Sequence, residues 1–295
     1  MEIRPYRGED AAALTALSSA CTRGEGDFVL NPLWETKAEI VAEFDRFGID
    51  PESHLLVADE GDGEILGFAG FLRHPGAGSA GLICPIVKRG GRRRGVGGEL
   101  LRAAQTLAVE KLGIQLLTAG IGTRNRAGYS LLSSHGFRPV RQHFVMRCDV
   151  RPSVPDAPIE GLTLELAGRG DCDAILEIYQ ACGFDPRSPE TMRACLEDGR
   201  HTLAVARHEG RVVAFTELET HLPRRVWVAY VGVTEALRGR GVGSTLVAWA
   251  LERHFDSGAE SALLLLSPAN RTALRAYEKV GFRRSRLIDV LEKSL

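Results

Sequence analysis

Arg92-Arg93-Arg94-Gly95-Val96-Gly97 in the first half of the chain returns in the second half as Arg238-Gly239-Arg240-Gly241-Val242-Gly243. Each run follows a strand-like stretch, Gly81-Leu82-Ile83-Cys84-Pro85-Ile86-Val87 and Val226-Trp227-Val228-Ala229-Tyr230-Val231-Gly232-Val233. Each precedes apolar residues at helical spacing: Val96, Leu100, Ala104 and Leu107, then Val242, Leu246 and Ala250. A short apolar strand (Gln115 to Thr118; Ala262 to Leu266), an Asn-Arg helix start (Asn125-Arg126; Asn270-Arg271) and a Gly-Phe-Arg (Gly136 to Arg138; Gly281 to Arg283) complete both series. Six features in the same order mark a tandem duplication.

Outward from these loops, Arg151-Pro152-Ser153-Val154-Pro155-Asp156-Ala157-Pro158 carries three prolines, which disfavour helix and central strand, and reads as part of a linker. The expected organisation is a first domain over 1–150, a linker over 151–160 and a second domain over 161–295. Each copy opens with a strand and a helix, adds a second helix, then two strands joined by an acidic-glycine turn. Those turns are Asp59-Glu60-Gly61-Asp62-Gly63 and His208-Glu209-Gly210. The order β-α-α-β-β-β-α-β-α-β per copy predicts an α/β unit, a mixed sheet flanked by helices.

With 295 residues, two cores fit comfortably. Hydrophobic residues at 44% and charged residues at 25% exclude a disordered chain. No apolar run approaches the ~20 residues of a membrane helix, and Met1-Glu2-Ile3-Arg4-Pro5 opens no signal peptide, so a cytoplasmic protein is expected. The excess of Arg over Lys, with abundant Ala, Gly and Val, suggests a GC-rich bacterial source. The 37 basic residues balance 38 acidic ones, so no global field for nucleic acid exists. Six scattered cysteines lack metal spacing, and no metal is expected.

A strand, a glycine-rich turn and an amphipathic helix make an anion site. Glycine permits close backbone approach, and the helix start offers free N–H groups and a positive dipole end. No Gly-Lys-Ser/Thr follows, which argues against a nucleotide-hydrolysing loop, and Val247 and Ala248 stand where a dinucleotide fingerprint needs glycine.

The run Val233-Thr234-Glu235-Ala236-Leu237-Arg238-Gly239-Arg240-Gly241-Val242-Gly243 resembles motif A of the GCN5-related N-acetyltransferase (GNAT) superfamily. Asn270, Ala273, Tyr277, Gly281 and Phe282 match its later signature in register. The tandem arrangement resembles double-domain acetyltransferases of the mycothiol synthase type. The resemblance implies two GNAT-like domains, each with a mixed, mostly antiparallel sheet, and acetyl-CoA as donor. Its pyrophosphate would lie on Arg238, Gly239, Arg240, Gly241, Val242, Gly243 and Ser244. Its pantetheine arm would run along Val231 and Val233, near Asn270. In the first copy the matching residues are Val87, Arg92, Arg94, Gly95, Val96, Gly97 and Asn125.

Acyl transfer from a thioester to an amine needs a neutral amine, a polarised carbonyl and a proton for the departing thiolate. The resemblance assigns that proton to Tyr277. An alternative for Tyr277 is simple packing on the inner helix face. The corresponding residue of the first copy is Leu132, so the first copy is expected to be degenerate, binding acetyl-CoA without efficient turnover. The basic run Lys88 to Arg94 also reads as a solvated basic turn or a nucleic-acid patch. Glu217 and Glu219 share one face of a strand, and either is a candidate base or a solvated strand edge. His221 and Tyr230 are weaker candidates, and Asn270 equally suits a helix cap.

The expected function is transfer of the acetyl group of acetyl-CoA to a primary amine of a small molecule, in a ternary complex, by a monomer or homodimer without membrane or nucleic-acid partners. A protein or peptide N-acetyltransferase and a non-enzymatic acyl-CoA sensor or scaffold are the alternatives.

Overall fold

The computed structural model describes all residues except 62, 74–77, 221 and 223. Asp62 of the first acidic turn and the candidate His221 therefore lie outside the described residues. The first copy runs β1 (Glu2–Pro5), α1 (Ala11–Thr22), α2 (Lys37–Phe47), α3 (Pro51–His54), β2 (Leu55–Asp59), β3 (Ile65–Leu72), β4 (Ser79–Val87), α4 (Val96–Glu110), β5 (Leu116–Gly122), α5 (Arg126–Ser134) and β6 (Arg138–Cys148). The second runs β7 (Thr163–Leu166), α6 (Cys172–Ala181), α7 (Pro189–Glu197), β8 (His201–His208), β9 (Arg211–Glu219), β10 (Arg225–Val233), α8 (Val242–Asp256), β11 (Ser261–Leu266), α9 (Arg271–Val280) and β12 (Arg283–Ser294).

Local chemistry sets many of these boundaries. Thr36 and Glu39 form a capping box at the start of α2. Ser188 accepts from the Thr191 N–H, and Pro189 occupies the first turn of α7, where its missing donor costs nothing. The β8–β9 turn holds Glu209 at φ 52° and Gly210 at φ 74°, the backbone a tight two-residue hairpin requires.

The chain divides into one unit of Met1–His143 with Arg286–Leu295 and another of Phe144–Ser285. This differs from division at 150 and 161, because each copy's last strand serves the other unit. In the first unit β5 pairs antiparallel with β12, from Gly122 opposite Ile288 to Leu116 opposite Ser294. In the second, β11 pairs antiparallel with Phe144 to Cys148 of β6. Each arrangement supplies β5 or β11 with an edge partner, and an uncovered edge is an aggregation hazard.

The first unit's core includes Trp34, Phe44 and Phe68, with Trp34 stacked on Phe68 at 5.9 Å. The second has two clusters, one around Leu246, Leu251 and Phe282, the other around Tyr179, Met192 and Phe215. Each such burial contributes ~1.5–3 kcal/mol of hydrophobic stabilisation. The linker follows α8: Arg151 meets Glu252 at 2.8 Å and Asp256 at 2.6 Å, while Pro158 lies beside Gly241 at the helix start.

Candidate active site

In the second unit β10 and β11 pair in parallel only through Arg225, Val226 and Trp227 opposite Ser261, Ala262 and Leu263. Beyond Trp227 they separate. A bulge between Val228 and Tyr230 shifts the β10–β9 register at the same level. The Thr234 N–H donates to the Val213 carbonyl on the β9 side. Backbone alternation therefore directs the N–H groups of Val231 and Val233 into the opening.

The glycine loop closes one end of that opening. Gly241 sits at φ 90°, and the Thr245 N–H makes the first helical bond to its carbonyl. The N–H groups of Val242, Gly243 and Ser244 precede that bond. Gly243 faces β10 so closely that a Cβ there would stand 3.0 Å from Val233 Cγ2. Arg238 turns back: its Nε donates to the Val233 carbonyl at 3.0 Å and its Nη2 to the Ala181 carbonyl at 3.2 Å. Arg240 is exposed, Ser244 Oγ donates to Gly241, and Asn270 caps α9 by accepting from the Ala273 N–H.

The first unit repeats the frame with differences at every reactive point. Strands β4 and β5 pair only through Ser79, Ala80 and Gly81 opposite Leu116, Leu117 and Thr118. Arg92 Nε donates to the Val87 carbonyl at 3.1 Å, as Arg238 does to Val233, and Arg94 meets Glu60 at 2.7 Å. Where the second loop has Gly239 at φ 76°, the first has Arg93 at φ 61°. Pro85 stands at the position of Val231 and has no N–H to offer.

The first opening is also occupied by the protein itself. The Leu30 N–H donates to Gly120, the Gly122 N–H to Phe28, and the Cys84 N–H to Asn31. This segment therefore lies between β4 and β5. Asn125 caps α5 through the Gly128 N–H and donates to the Phe28 carbonyl. Among the described residues, no backbone hydrogen bond joins residues 183–188 of the second copy to β10 or β11. A cavity of about 430 Å³ remains beside the first loop, lined by Asp27, Val87, Gly95, Gly97, Leu131 and Leu132 among others. Its volume lies within the range of small-molecule sites.

Tyr277 on α9 is half-buried, its ring edge-on to Phe282 at 5.6 Å, and burial pushes its phenol up to about 12. It stays protonated at neutral pH, as a proton donor must. Leu132 at the equivalent place is buried in the first core.

The two candidate carboxylates are not solvated. Glu217 is fully buried, its Oε2 accepting from Arg187 Nη1 at 2.6 Å and its Oε1 bonded to His201 Nδ1 at 3.0 Å. Burial raises its pKa, but the His201 hydrogen bond and the Arg187 charge outweigh that and hold it below the usual carboxylate range. Arg187 stacks over Tyr179 and Tyr230 at 5.0 and 5.1 Å. Glu219 is buried too, in register with His201 on one side and Trp227 on the other. Cys195, His201 and Glu217 bring ligand-type atoms within 4.8 Å of one another, but Arg187 already supplies a positive charge there. Neither Arg187 nor His201 stands out in the sequence, because only the placement of the α6–α7 connection and β8 brings them to Glu217.

The Acetyltransferase (GNAT) family model matches residues 15–137 and 172–282. Mycothiol acetyltransferase of Thermomonospora curvata is 31% identical over 293 residues, spanning 95% of this chain and 92% of that one. Its counterpart in Thermobispora bispora is 28% identical over 304 residues, 96% of each. Among solved structures, a GCN5-related N-acetyltransferase from Sphaerobacter thermophilus superposes with TM-score 0.81 at 24% identity, covering 99% of this chain and 95% of that one. A tandem GNAT protein from the clavulanic acid biosynthesis pathway gives 0.72 at 18% identity, covering 99% and 98%. These two likenesses establish the fold. Matched twice by the family model and 31% identical to a relative across 95% of its length, the chain belongs to the GNAT acetyltransferase family and is an acetyl-CoA-dependent acyltransferase.

Proposed function

We propose that the second copy transfers the acetyl group of acetyl-CoA to a primary amine of a small molecule by direct attack in a ternary complex, and that the first copy binds acetyl-CoA without turning it over. The observation that carries this reading is the contrast at one repeat position, a half-buried phenol at Tyr277 against a core leucine at Leu132. The free N–H groups of Val242, Gly243 and Ser244 suit the pyrophosphate, with Arg240 as the exposed cation nearby. The N–H groups of Val231 and Val233 suit the pantetheine arm and the thioester carbonyl.

The amine attacks the carbonyl carbon, the C–S bond breaks, and the thiolate takes the Tyr277 proton. Direct attack is favoured over an acyl-cysteine intermediate. Burial and the nearby Glu217 charge push the Cys195 thiol up to about 11, leaving little thiolate. The relatives are named mycothiol acetyltransferase, which supports trying an acceptor of the mycothiol class first. The test is CoA release from acetyl-CoA against a panel of amino sugars, cysteinyl amines, polyamines and peptides. Fast acetylation of a small amine supports the reading; acetylation of peptides alone, or none at all, refutes it.

A further inference from the structure

We infer that His201 is the base that removes the acceptor's ammonium proton, with Glu217 as its positioning residue. This rests on the second copy being the catalytic one. Glu217 has both oxygens engaged and no exposed surface, so no ammonium reaches it without breaking the Arg187 pair. The imidazole beside it is accessible: the His201 side chain is 19% exposed. With Glu217 ionised, Nδ1–H donates to the carboxylate and the lone pair is left on Nε2. A carboxylate that fixes the imidazole tautomer also stabilises the imidazolium formed when Nε2 takes a proton.

The location fits. Glu217 and Tyr230 are opposite one another across β9 and β10, so their side chains share a face. The next residue, Val231, directs its N–H into the opening. Among the described residues, the charged and titratable groups around the His201–Glu217 pair are Glu219 from β9, Tyr230 from β10, Tyr179 from α6, Cys195 from α7, Arg187 from the segment before α7, and Asp198 and Arg200 from the turn into β8.

The proton balance closes. The ammonium gives one proton to Nε2, directly or through one water, and its nitrogen lone pair forms the C–N bond. As the C–S bond breaks, the thiolate takes the Tyr277 proton. The second proton shed by nitrogen restores the phenol, and the imidazolium releases its proton to solvent.

The experiment is the pH dependence of kcat for wild type, His201→Gln and Tyr277→Phe at saturating acetyl-CoA, with the best amine of the panel. His201→Gln should lower kcat by about 10²–10⁴-fold near neutral pH. That deficit should shrink steadily as rising pH neutralises the amine without help, while the KM for acetyl-CoA stays unchanged. A deficit of the same size at every pH means a merely structural role and overturns the proposal. Wild type without CoA release from any amine overturns the reading of the second copy, and His201 falls with it. Should His201→Gln fail to fold, the ¹⁵N shifts of His201 in wild type decide: a lone pair on Nε2 supports the proposal, and one on Nδ1 refutes it.

Discussion

Val231 and Pro85 hold the same place in the two copies, two residues before the end of the strand that leads into the glycine loop, and only Val231 carries an N–H. A backbone donor cannot be replaced by a nearby side chain without rebuilding the strand. The difference therefore leaves the first copy one backbone donor short of the second along the strand that would face the thioester, in line with the proposed division of roles.

On the proposed reading two acetyl-CoA molecules bind per chain, the first held by its loop and the cavity beside it because Phe28 to Asn31 fill the β4–β5 opening, and calorimetric titration should resolve two sites. A single site with the Arg92 to Gly97 loop left empty at saturation would contradict the duplicated-cofactor reading. Gly243→Val should weaken one site alone, since its Cβ would press on Val233 at 3.0 Å.

Arg93 at φ 61° stands where the second loop has Gly239, and an arginine in the left-handed region carries roughly 1 kcal/mol of strain. Arg93→Gly should therefore raise the stability of the first unit by a fraction of that amount, because glycine also gains unfolded-state entropy. Denaturant titration checks the sign; a clear loss of stability would show that the Arg93 side chain matters more than its backbone.

The Arg187–Glu217 pair makes a prediction about pH. Glu217 is depressed below its ordinary 4.5 in the folded state. Its contribution to stability is complete above that value and is lost as pH falls through the depressed one. Arg187→Met leaves a buried carboxylate without its cation and should cost about 3–5 kcal/mol at neutral pH. In Glu217→Gln, the unfolding midpoint should vary less with pH below the carboxylate's ordinary 4.5 than in wild type. Identical pH dependence in the two proteins would contradict the assignment.

Much of this was legible in the sequence because it is local. The loop glycines, the helix phases and the Asn270-to-Gly281 spacing report backbone conformation a few residues away. Leu132 follows from counting within the repeat. The exchange of β6 and β12 was not legible, since strand pairing is decided by distant partners and the boundary prolines mark only where the copies end. The insertion of Phe28 to Asn31 between β4 and β5 was hidden for the same reason. Glu217 was placed on the correct face of its strand, but alternation says nothing about what covers that face. Arg187 and His201, which bond the two oxygens of the candidate base Glu217, arrive from separate elements.

The most direct measurement sets the copies against each other in steady-state kinetics of Tyr277→Phe and Leu132→Ala. Tyr277→Phe keeps the ring packed on Phe282 but removes the phenol proposed as the proton donor. It should lower kcat by roughly 10²–10⁴-fold, on the order of 3–5 kcal/mol of barrier, with little change in acetyl-CoA affinity. Leu132→Ala should open a core cavity costing ~2–5 kcal/mol of stability and leave kcat largely intact. Near-full activity in Tyr277→Phe, with activity abolished by damage to the Arg92 to Gly97 loop, would place catalysis in the first copy and contradict the assignment.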